Sequence, residues 1–477
     1  IVGHMGLSIF ERRSRLSRIV FHIDVNSAFL SWSALERLEQ NPDSIDLRTI
    51  PSAVAGDVAS RRGVVTAASI PAKRLGVKSG EPVSAALRLC PNLVLVASNF
   101  SYYRRKSVAF LEILNRHSSA VEQFSIDEAF LDMSARFSDR RREEAAIRAC
   151  AAAIQTEIRE TLGFTVNVGI SENKLLAKMA SDFEKPDKIH TLWPEELSAK
   201  FYPLPIRSLF GVGGQSAEKL LRFGIHTIGE AADTPCEVLQ RILGPSAGKS
   251  VYQSARGINH SAVRRERPQA KSHSVERTTT TDIEKRNAAT ELPPLLSELA
   301  EELSSRLRKA NVRAETLVII AKTSSFQRHT RQQRLLVPSN EKEVLEASAR
   351  ELFSALLEGE EGLFSKREAL RLVGIGAARL EDPQYQQLSL FSLPSPSEVR
   401  EAKQRAAEAA AEAEKRAAAE AAKAEKRRKL GEMQAEISAR YGDKALLRGG
   451  ALLSAAHKET QNAQAVPEQK GQHSAEL

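Results

Sequence analysis

The sequence predicts a multidomain α/β (α+β) protein, and three observations carry that prediction. The chain has 477 residues, 42% of them hydrophobic and 27% charged, which is enough for several cores in roughly three or four domains. Apolar strand-like runs alternate with amphipathic helical segments in the N-terminal part. A helical stretch with glycine-bearing turns follows, and then a second mixture of helices and strands.

The N-terminal region predicts one mixed sheet with helices on one face. The sequence over 17–35 is typical of a strand followed by the start of a helix. A strand over 93–97, helices over 102–115 and 141–162, and strands near 121–133 and 164–170 complete the predicted layer. Ser171 is then expected to cap a helix that runs through Ala180 and ends before Lys185.

Three acidic residues stand in or at the end of apolar strand-like runs. Asp24 ends the first run, and the pair Asp127 and Glu128 lies inside 124–132. Carboxylates gathered on neighbouring strands repel one another unless cations neutralise them, and hard cations such as Mg²⁺ prefer oxygen ligands. The pattern predicts a two-metal site for phosphoryl transfer. The simpler alternative is that each acid only ends a strand and caps a turn.

Glycine-bearing turns mark the helical region. Gly211 and Gly213 precede a short helix that carries Lys219, and a second turn contains Gly248. Glycines let a backbone approach a phosphate, and a helix N-terminus offers free amide donors. We expect a helix-hairpin-helix that binds a DNA strand, although either turn alone could be an ordinary helix connection.

The last mixed region is basic and poor in aromatic residues. It follows an exposed tether and predicts helices over 292–310 and 341–357 with strands over 316–322, 333–337 and 370–376. The candidate DNA-binding residues on or beside its strands are Arg277, Arg328 and Arg331. The alternative is that these arginines belong to solvated strand faces.

Composition and charge narrow the function classes. The formal net charge of +9 favours a polyanionic partner, because lysine and arginine displace counterions from phosphates. The three cysteines are far apart, so neither a disulfide framework nor a zinc site is indicated. No apolar run approaches the roughly 20 residues of a membrane span and no secretory pattern is present, so we expect a cytoplasmic protein with no membrane contact.

The ordered set of motifs resembles the Y-family translesion DNA polymerases, particularly the DinB-like branch. The resemblance covers 17–391 and rests on the segments 21–29, 125–132 and 169–186 and on the glycine hairpin. It implies a right-hand polymerase with a ferredoxin-like palm, small fingers, a helical thumb with a helix-hairpin-helix and an α+β little finger. The implied boundaries are palm 10–34 and 99–192, fingers 35–98, thumb 193–262, tether 263–267 and little finger 268–378, followed by a linker at 379–396. Beyond the resemblance, composition predicts a helical C-terminal tail: a charged alanine-rich helix over 397–440 and a largely disordered tail over 441–477.

The resemblance also implies roles for site residues. Asp24, Asp127 and Glu128 correspond to the catalytic carboxylates, which in this family bind two Mg²⁺ ions together with the backbone carbonyl of Val25. Phe29, five residues after Asp24, corresponds to the steric gate, whose ring excludes a ribose 2′-hydroxyl and so selects deoxynucleotides.

The fingers segment departs from the family pattern. Lys185 corresponds to a lysine that contacts the incoming triphosphate. Ala67, Ile70 and Lys73 stand where the family usually has threonine, tyrosine and arginine. Two donors are lost, and Lys73 keeps the charge without the bidentate fork of arginine. Asn26 replaces an acid often found near the first carboxylate.

Residues 387–391 resemble the pentapeptide by which bacterial polymerases dock on the sliding β-clamp. A glutamine would form hydrogen bonds at the rim of the clamp pocket, and apolar side chains would fill it. The alternative is an incidental amphipathic segment. The residues expected to bind the clamp are Gln387, Leu388, Leu390 and Phe391.

These features together predict an error-prone DNA-directed DNA polymerase. We expect a monomer that extends primer-template DNA from dNTPs while tethered to the clamp. Two alternatives come from other classes: a nucleotide cyclase built on a similar acidic palm, and a non-catalytic DNA-binding scaffold with a degenerate palm, which Ala67 and Ile70 would allow.

Overall fold

A computed structural model describes residues 18–56, 63–137, 139–266 and 268–382, together with individual positions between 415 and 440. The chain divides into two units, 1–384 and 385–477. In the second unit the described positions are helical. The first unit contains the strands and helices described below.

The first unit is built from twelve strands and twelve α-helices within the described ranges. In chain order the strands are β1 Val20–Val25, β2 Ser52–Ala55, β3 Val65–Ala68, β4 Val94–Val96, β5 Val121–Gln123, β6 Glu128–Asp132, β7 Val166–Ser171, β8 Ile189–Thr191, β9 Ser272–Ile283, β10 Arg313–Thr323, β11 Arg328–Ser339 and β12 Leu370–Glu381. The helices are α1 Ala28–Gln40, α2 Ile70–Arg74, α3 Val83–Leu89, α4 Phe100–His117, α5 Arg140–Leu162, α6 Lys174–Ser181, α7 Gly214–Arg222, α8 Ile228–Asp233, α9 Cys236–Leu243, α10 Pro245–Ala255, α11 Ala288–Lys309 and α12 Lys342–Leu357. Short 3₁₀ turns at Pro194–Glu196 and Ile206–Ser208 flank a π-helical turn at Leu197–Phe201.

A five-stranded sheet, the central sheet, has the order β5-β6-β1-β7-β8, with β1 antiparallel to both neighbours. Alternate residues of a strand point to opposite faces. In β1 the residues Phe21, Ile23 and Val25 therefore join the apolar core formed with α4 and α5. His22 and Asp24 point to the opposite face, so this register places the first acid away from the main core.

Helix α6 covers part of that opposite face, so the predicted arrangement with helices on one face only is wrong. Ala177 of α6 packs against Val20 and Phe130 of the central sheet.

The prediction that Ser171 caps this helix is wrong. Ser171 is the last residue of β7 and its hydroxyl donates to the Leu192 carbonyl oxygen, 2.5 Å away, whereas the side chain of Asn173 caps α6.

A smaller sheet, the small sheet, has the order β3-β2-β4 and packs with α2 and α3. Its other face meets α1, where Leu30, Leu47 and Ala67 share a small core. Helices α7 to α10 form a separate helical region, whose core also takes Leu175 and Leu176 from α6.

The C-terminal sheet has the order β11-β10-β12-β9, with all neighbours antiparallel, and its core lies against α11 and α12. Strand β9 is an element that the sequence did not predict, and the other strands extend beyond their predicted limits. Within the described residues, none of the helices combines the length and the apolar character that crossing a membrane requires.

Candidate active site

The three predicted acids converge at one end of the central sheet. Asp24 and Glu128 are register partners in the antiparallel pair β1–β6. Asp127 precedes β6, and its carbonyl oxygen accepts from the Val25 amide at 3.0 Å. The hydroxyl of Ser125 donates to the Asp127 carboxylate at 2.5 Å. The fold therefore brings together residues that are far apart in the sequence.

Two lysines neutralise these acids. The ammonium of Lys178, on α6, lies 2.7 Å from Glu128 and 3.2 Å from Asp24. The ammonium of Lys185 lies 2.8 Å from the second oxygen of Asp24 and 2.9 Å from Asp182. Because Lys178 is only 9% exposed, its ion pairs are poorly screened by solvent.

The pKa values of Glu128 and Asp127 are shifted in opposite directions by their surroundings. Burial would raise the pKa of Glu128, but hydrogen bonds from His22 and Lys178 outweigh it and lower that pKa to about 2. Burial raises the pKa of Asp127, and the negative charges of Asp24 and Glu128 add to the increase. Burial lowers the pKa of His22, whose Nε2 lies 3.0 Å from Glu128 and whose Nδ1 lies 2.8 Å from the Ser181 hydroxyl.

The carboxylates are suitable ligands for a hard cation, although their side-chain oxygens are not grouped around a common point as they are in a metal-bound site. In the described part of the chain, no three His, Cys, Asp or Glu side chains are grouped so that they could hold a metal ion. Asp24 and Glu128 nevertheless share one cation, the Lys178 ammonium, and carboxylate oxygens are the ligands that Mg²⁺ prefers. The donor set therefore fits divalent metal.

A cavity of about 420 Å³ opens between the central sheet and the small sheet. Lys185 lines it from one side, and Lys73 and Ile70 line it from α2. Ala67 does not reach this cavity, because it is buried between α1 and the small sheet. The cavity is thus cationic and large enough for a polyphosphate group.

Phe29 lies near the start of α1 and is half-buried. Its ring stacks on Tyr103, with 5.0 Å between centroids and 18° between planes, and meets Phe100 edge to face at 5.8 Å. These contacts fix the ring plane, which a residue that selects by steric exclusion requires.

The predicted DNA-contact residues of the helical region separate into two groups. Gly211, with φ of 91°, and Gly213, the N-cap of α7, are exposed, as is Lys219. Gly248 is instead buried in α10, where an added Cβ would lie 2.4 Å from backbone atoms of Gln240. Its absent side chain allows two helices to pack closely, so its assignment to DNA contact is corrected.

The three predicted arginines of the C-terminal sheet also differ. Arg331 is exposed on the edge strand β11. Arg328, on the same strand, is exposed and 3.4 Å from Glu276. Arg277 is held at 2.6 and 3.3 Å by Glu298 and Glu302 of α11, on the helix-covered side of the sheet. Arg328 and Arg331 are therefore exposed, whereas Arg277 is already paired with two glutamates. Gln387, Leu388, Leu390 and Phe391 lie outside the described residues.

Sequence reasoning missed His22 and Lys178 as parts of the site. His22 precedes Asp24 by two residues, so strand alternation alone would have placed it on the same face. Lys178 has no comparable local signal, because its approach to the acids depends on how α6 packs on the sheet.

Family models match most of the first unit. The model described as impB/mucB/samB family matches residues 23–182, and its C-terminal domain model matches 270–390. A model described as DNA polymerase-iota, thumb domain matches 207–259.

Relatives show similarity over nearly their whole length. DNA polymerase IV of Clostridium acetobutylicum is 38% identical, covering 79% of this chain and 90% of the relative. DNA polymerase IV 1 of Bacillus subtilis is 36% identical, with coverages of 79% and 86%. A solved chimeric Y-family DNA polymerase built from Dbh and Dpo4 has a TM-score of 0.65 and 24% identity, covering 76% of this chain and 99% of the chimera, which supports the same fold.

Proposed function

Because the chain belongs to the impB/mucB/samB family, the Y-family translesion DNA polymerases of the DNA polymerase IV type, we propose that Asp24, Asp127 and Glu128 are its catalytic carboxylates and act with two Mg²⁺ ions. A DNA-directed DNA polymerase binds DNA and dNTPs, and Y-family enzymes depend on metal. The observation that carries the proposal is the shared cation: Asp24 and Glu128, on neighbouring strands, both contact Lys178.

Each side chain has a distinct task in this proposal. Asp24, Asp127, Glu128 and the carbonyl of Val25 would hold the metal. Bound Mg²⁺ would supply Lewis-acid activation of the primer 3′-hydroxyl and stabilisation of the leaving pyrophosphate. Lys185 would neutralise the triphosphate during this step, as would Lys73 from the other side of the cavity.

The similarity favours a polymerase over the cyclase and scaffold alternatives. Proteins named DNA polymerase IV are matched over 86% to 96% of their lengths in the three examples from Clostridium acetobutylicum, Bacillus subtilis and Xanthomonas campestris. A cyclase would have no use for the glycine hairpin or the basic C-terminal sheet. The prediction of a Y-family DNA polymerase is confirmed, whereas the residue roles and the ion count remain proposals.

Primer extension with Mg²⁺ tests the proposal. The wild-type protein should extend a primer, and Asp127→Ala combined with Glu128→Ala should abolish extension while leaving primer-template binding in place. Equal extension by wild type and variant would refute these catalytic assignments. Cyclic nucleotide formed without primer would support the cyclase instead.

The regions of the fold suggest the matching domains. We propose that the central sheet is the palm (10–34 and 99–192) and the small sheet lies in the fingers (35–98). The helical region would be the thumb (193–262), and the C-terminal sheet would be the little finger (268–378). The exposed Gly211, Gly213, Lys219, Arg328 and Arg331 would then contact the DNA backbone.

The segment 387–391 is proposed to dock on a sliding β-clamp, and the polymerase to act as a monomer. Tethering would raise the effective concentration of enzyme at the primer end. Deleting 387–391 should remove clamp-stimulated synthesis and spare the basal reaction. An equal loss of both reactions would contradict the docking role. Sedimentation of the active protein as a dimer would contradict the monomer.

A further inference from the structure

A polar contact crosses the nucleotide-sized cavity. The ammonium of Lys73, on α2, lies 2.7 Å from the hydroxyl of Ser27, at the junction of β1 and α1. Both residues line the cavity together with Lys185. The contact joins α2, beside the small sheet, to the end of β1 in the central sheet.

Ser27 is not used as an ordinary helix cap. It immediately precedes α1, a position where serine commonly accepts a hydrogen bond from the first turn of the helix. Here the backbone of Ser27 is left-handed, with φ of 49° and ψ of 49°, and its side chain makes no capping hydrogen bond. A left-handed backbone is unfavourable for serine, so this conformation costs conformational free energy. In this conformation the Ser27 side chain lines the cavity.

The neighbouring residue also indicates a site completed by a ligand. Asn26 lines the same cavity and is 7% exposed. Its side-chain nitrogen Nδ2 donates to the Thr165 hydroxyl at 3.2 Å, but within the described chain its side-chain oxygen Oδ1 has no hydrogen-bond partner. A buried acceptor that faces a cavity without a partner is typical of a site where water or ligand supplies the donor.

Lysine requires such support more than arginine does. Arginine presents a planar fork that is already organised for phosphate, whereas lysine carries a point charge on a flexible stem. Burial lowers the pKa of Lys73, and the nearby Lys185 ammonium lowers it further, so the two cations repel each other across the cavity. The Ser27 hydroxyl offsets this repulsion by accepting from Lys73.

We propose that Ser27 is a positioning residue: its hydroxyl holds the Lys73 ammonium over the cavity, so that a lysine performs the triphosphate contact without the fork of arginine. The inference rests on the proposed function and adds to it a pair of residues, Ser27 and Lys73, that act as one unit. Loss of the Ser27 hydroxyl should weaken binding of the triphosphate group without altering the chemistry of nucleotide transfer, whereas loss of Lys73 removes the charge itself.

A double-mutant cycle in the full chain tests this unit. Ser27→Ala should raise the KM for dNTP about three- to tenfold with kcat nearly unchanged, since one charge-assisted hydrogen bond is removed. Lys73→Met should raise it further, and the double variant should be no worse than Lys73→Met alone. Ser31→Ala is the matched control, because Ser31 lines the same cavity but donates to the backbone carbonyl oxygen of Asn26 at 2.7 Å. Its effect should add to that of Lys73→Met.

Inorganic tripolyphosphate provides a second readout, as an inhibitor competing with dNTP. Ser27→Ala should weaken inhibition by tripolyphosphate and leave inhibition by a deoxynucleoside monophosphate unchanged. Additive effects of Ser27 and Lys73, or an equal loss of both inhibitors, would overturn the inference. A wild-type protein that incorporates no nucleotide would instead refute the proposed function, so the two failures can be distinguished.

Discussion

Asp24 and Glu128 face each other across β1 and β6, and one ammonium, that of Lys178, lies 3.2 Å from the first carboxylate and 2.7 Å from the second. The pair would be strongly unfavourable as two bare charges, because both side chains are largely buried. Lys178 therefore stabilises the fold in the absence of metal.

Replacing Lys178 by methionine should destabilise the fold and make its stability depend on metal. The unfolding free energy should fall by about 3 kcal/mol, since the acids lose their buried partner. Millimolar Mg²⁺ should recover part of that loss in urea denaturation. Lys174→Met is the control, because Lys174 pairs with Glu122 instead, at 2.6 Å. Equal Mg²⁺ responses in the two variants would contradict the shared-cation role.

Protonation of Glu128 in acid should lower the free energy of unfolding. Its pKa is lowered from 4.5 to about 2 on folding, so its contribution is present above about pH 4.5 and is lost as pH falls toward 2. Between about pH 5 and about pH 2, the wild type should lose roughly 3 kcal/mol more unfolding free energy than Glu128→Gln. Parallel pH profiles from chemical denaturation would show that Glu128 is not stabilised in this way.

Phe29→Ala should admit ribonucleotides. Removing the ring removes the surface expected to clash with a 2′-hydroxyl, so the preference for dNTP over rNTP should fall at least about tenfold in single-nucleotide insertion. Phe100→Ala removes an edge contact to Phe29 and serves as the control, with a smaller change. If Phe29→Ala keeps the wild-type preference for dNTP over rNTP, Phe29 contributes only to packing.

Arg331 and Arg277 should differ in DNA binding. Arg331→Gln should weaken primer-template binding and reduce the slope of log K against log salt by about one, because one phosphate contact is lost. Arg277→Gln should leave that slope unchanged, since this arginine is occupied by Glu298 and Glu302. Fluorescence anisotropy at several salt concentrations measures both. A larger loss of slope in Arg277→Gln than in Arg331→Gln would contradict this ranking.

Gly248→Ala should destabilise the helical region by about 1–3 kcal/mol, because the new methyl group would overlap backbone atoms of Gln240 in α9. Gly213→Ala is the matched control, since its Cβ would meet nothing within 4 Å. Thermal denaturation should separate the two variants. A stable Gly248→Ala protein with weaker DNA binding would restore the original assignment of Gly248.

The sequence was sufficient for the fold class and for the acids that meet, because these features depend on local pattern. The strands bearing Asp24 and Glu128 are apolar runs, and antiparallel pairing brings their ends together. Strand β9 was missed because its sequence is rich in serine and threonine, with Val275 and Ile283 as its buried apolar residues. This strand is stabilised by pairing with β12, a partner distant in the sequence that cannot be deduced from the local sequence pattern of β9.

Helix α6 belongs to two cores at once. Ala177 packs on the central sheet, whereas Leu175, Leu176 and Met179 pack with the helical region. The same helix carries Lys178 to the acids. A displacement of the helical region, for example on binding duplex DNA, would therefore move α6 directly, since no loop separates the residues that contact the two cores. It would change the distances between the Lys178 ammonium and the carboxylates of Asp24 and Glu128.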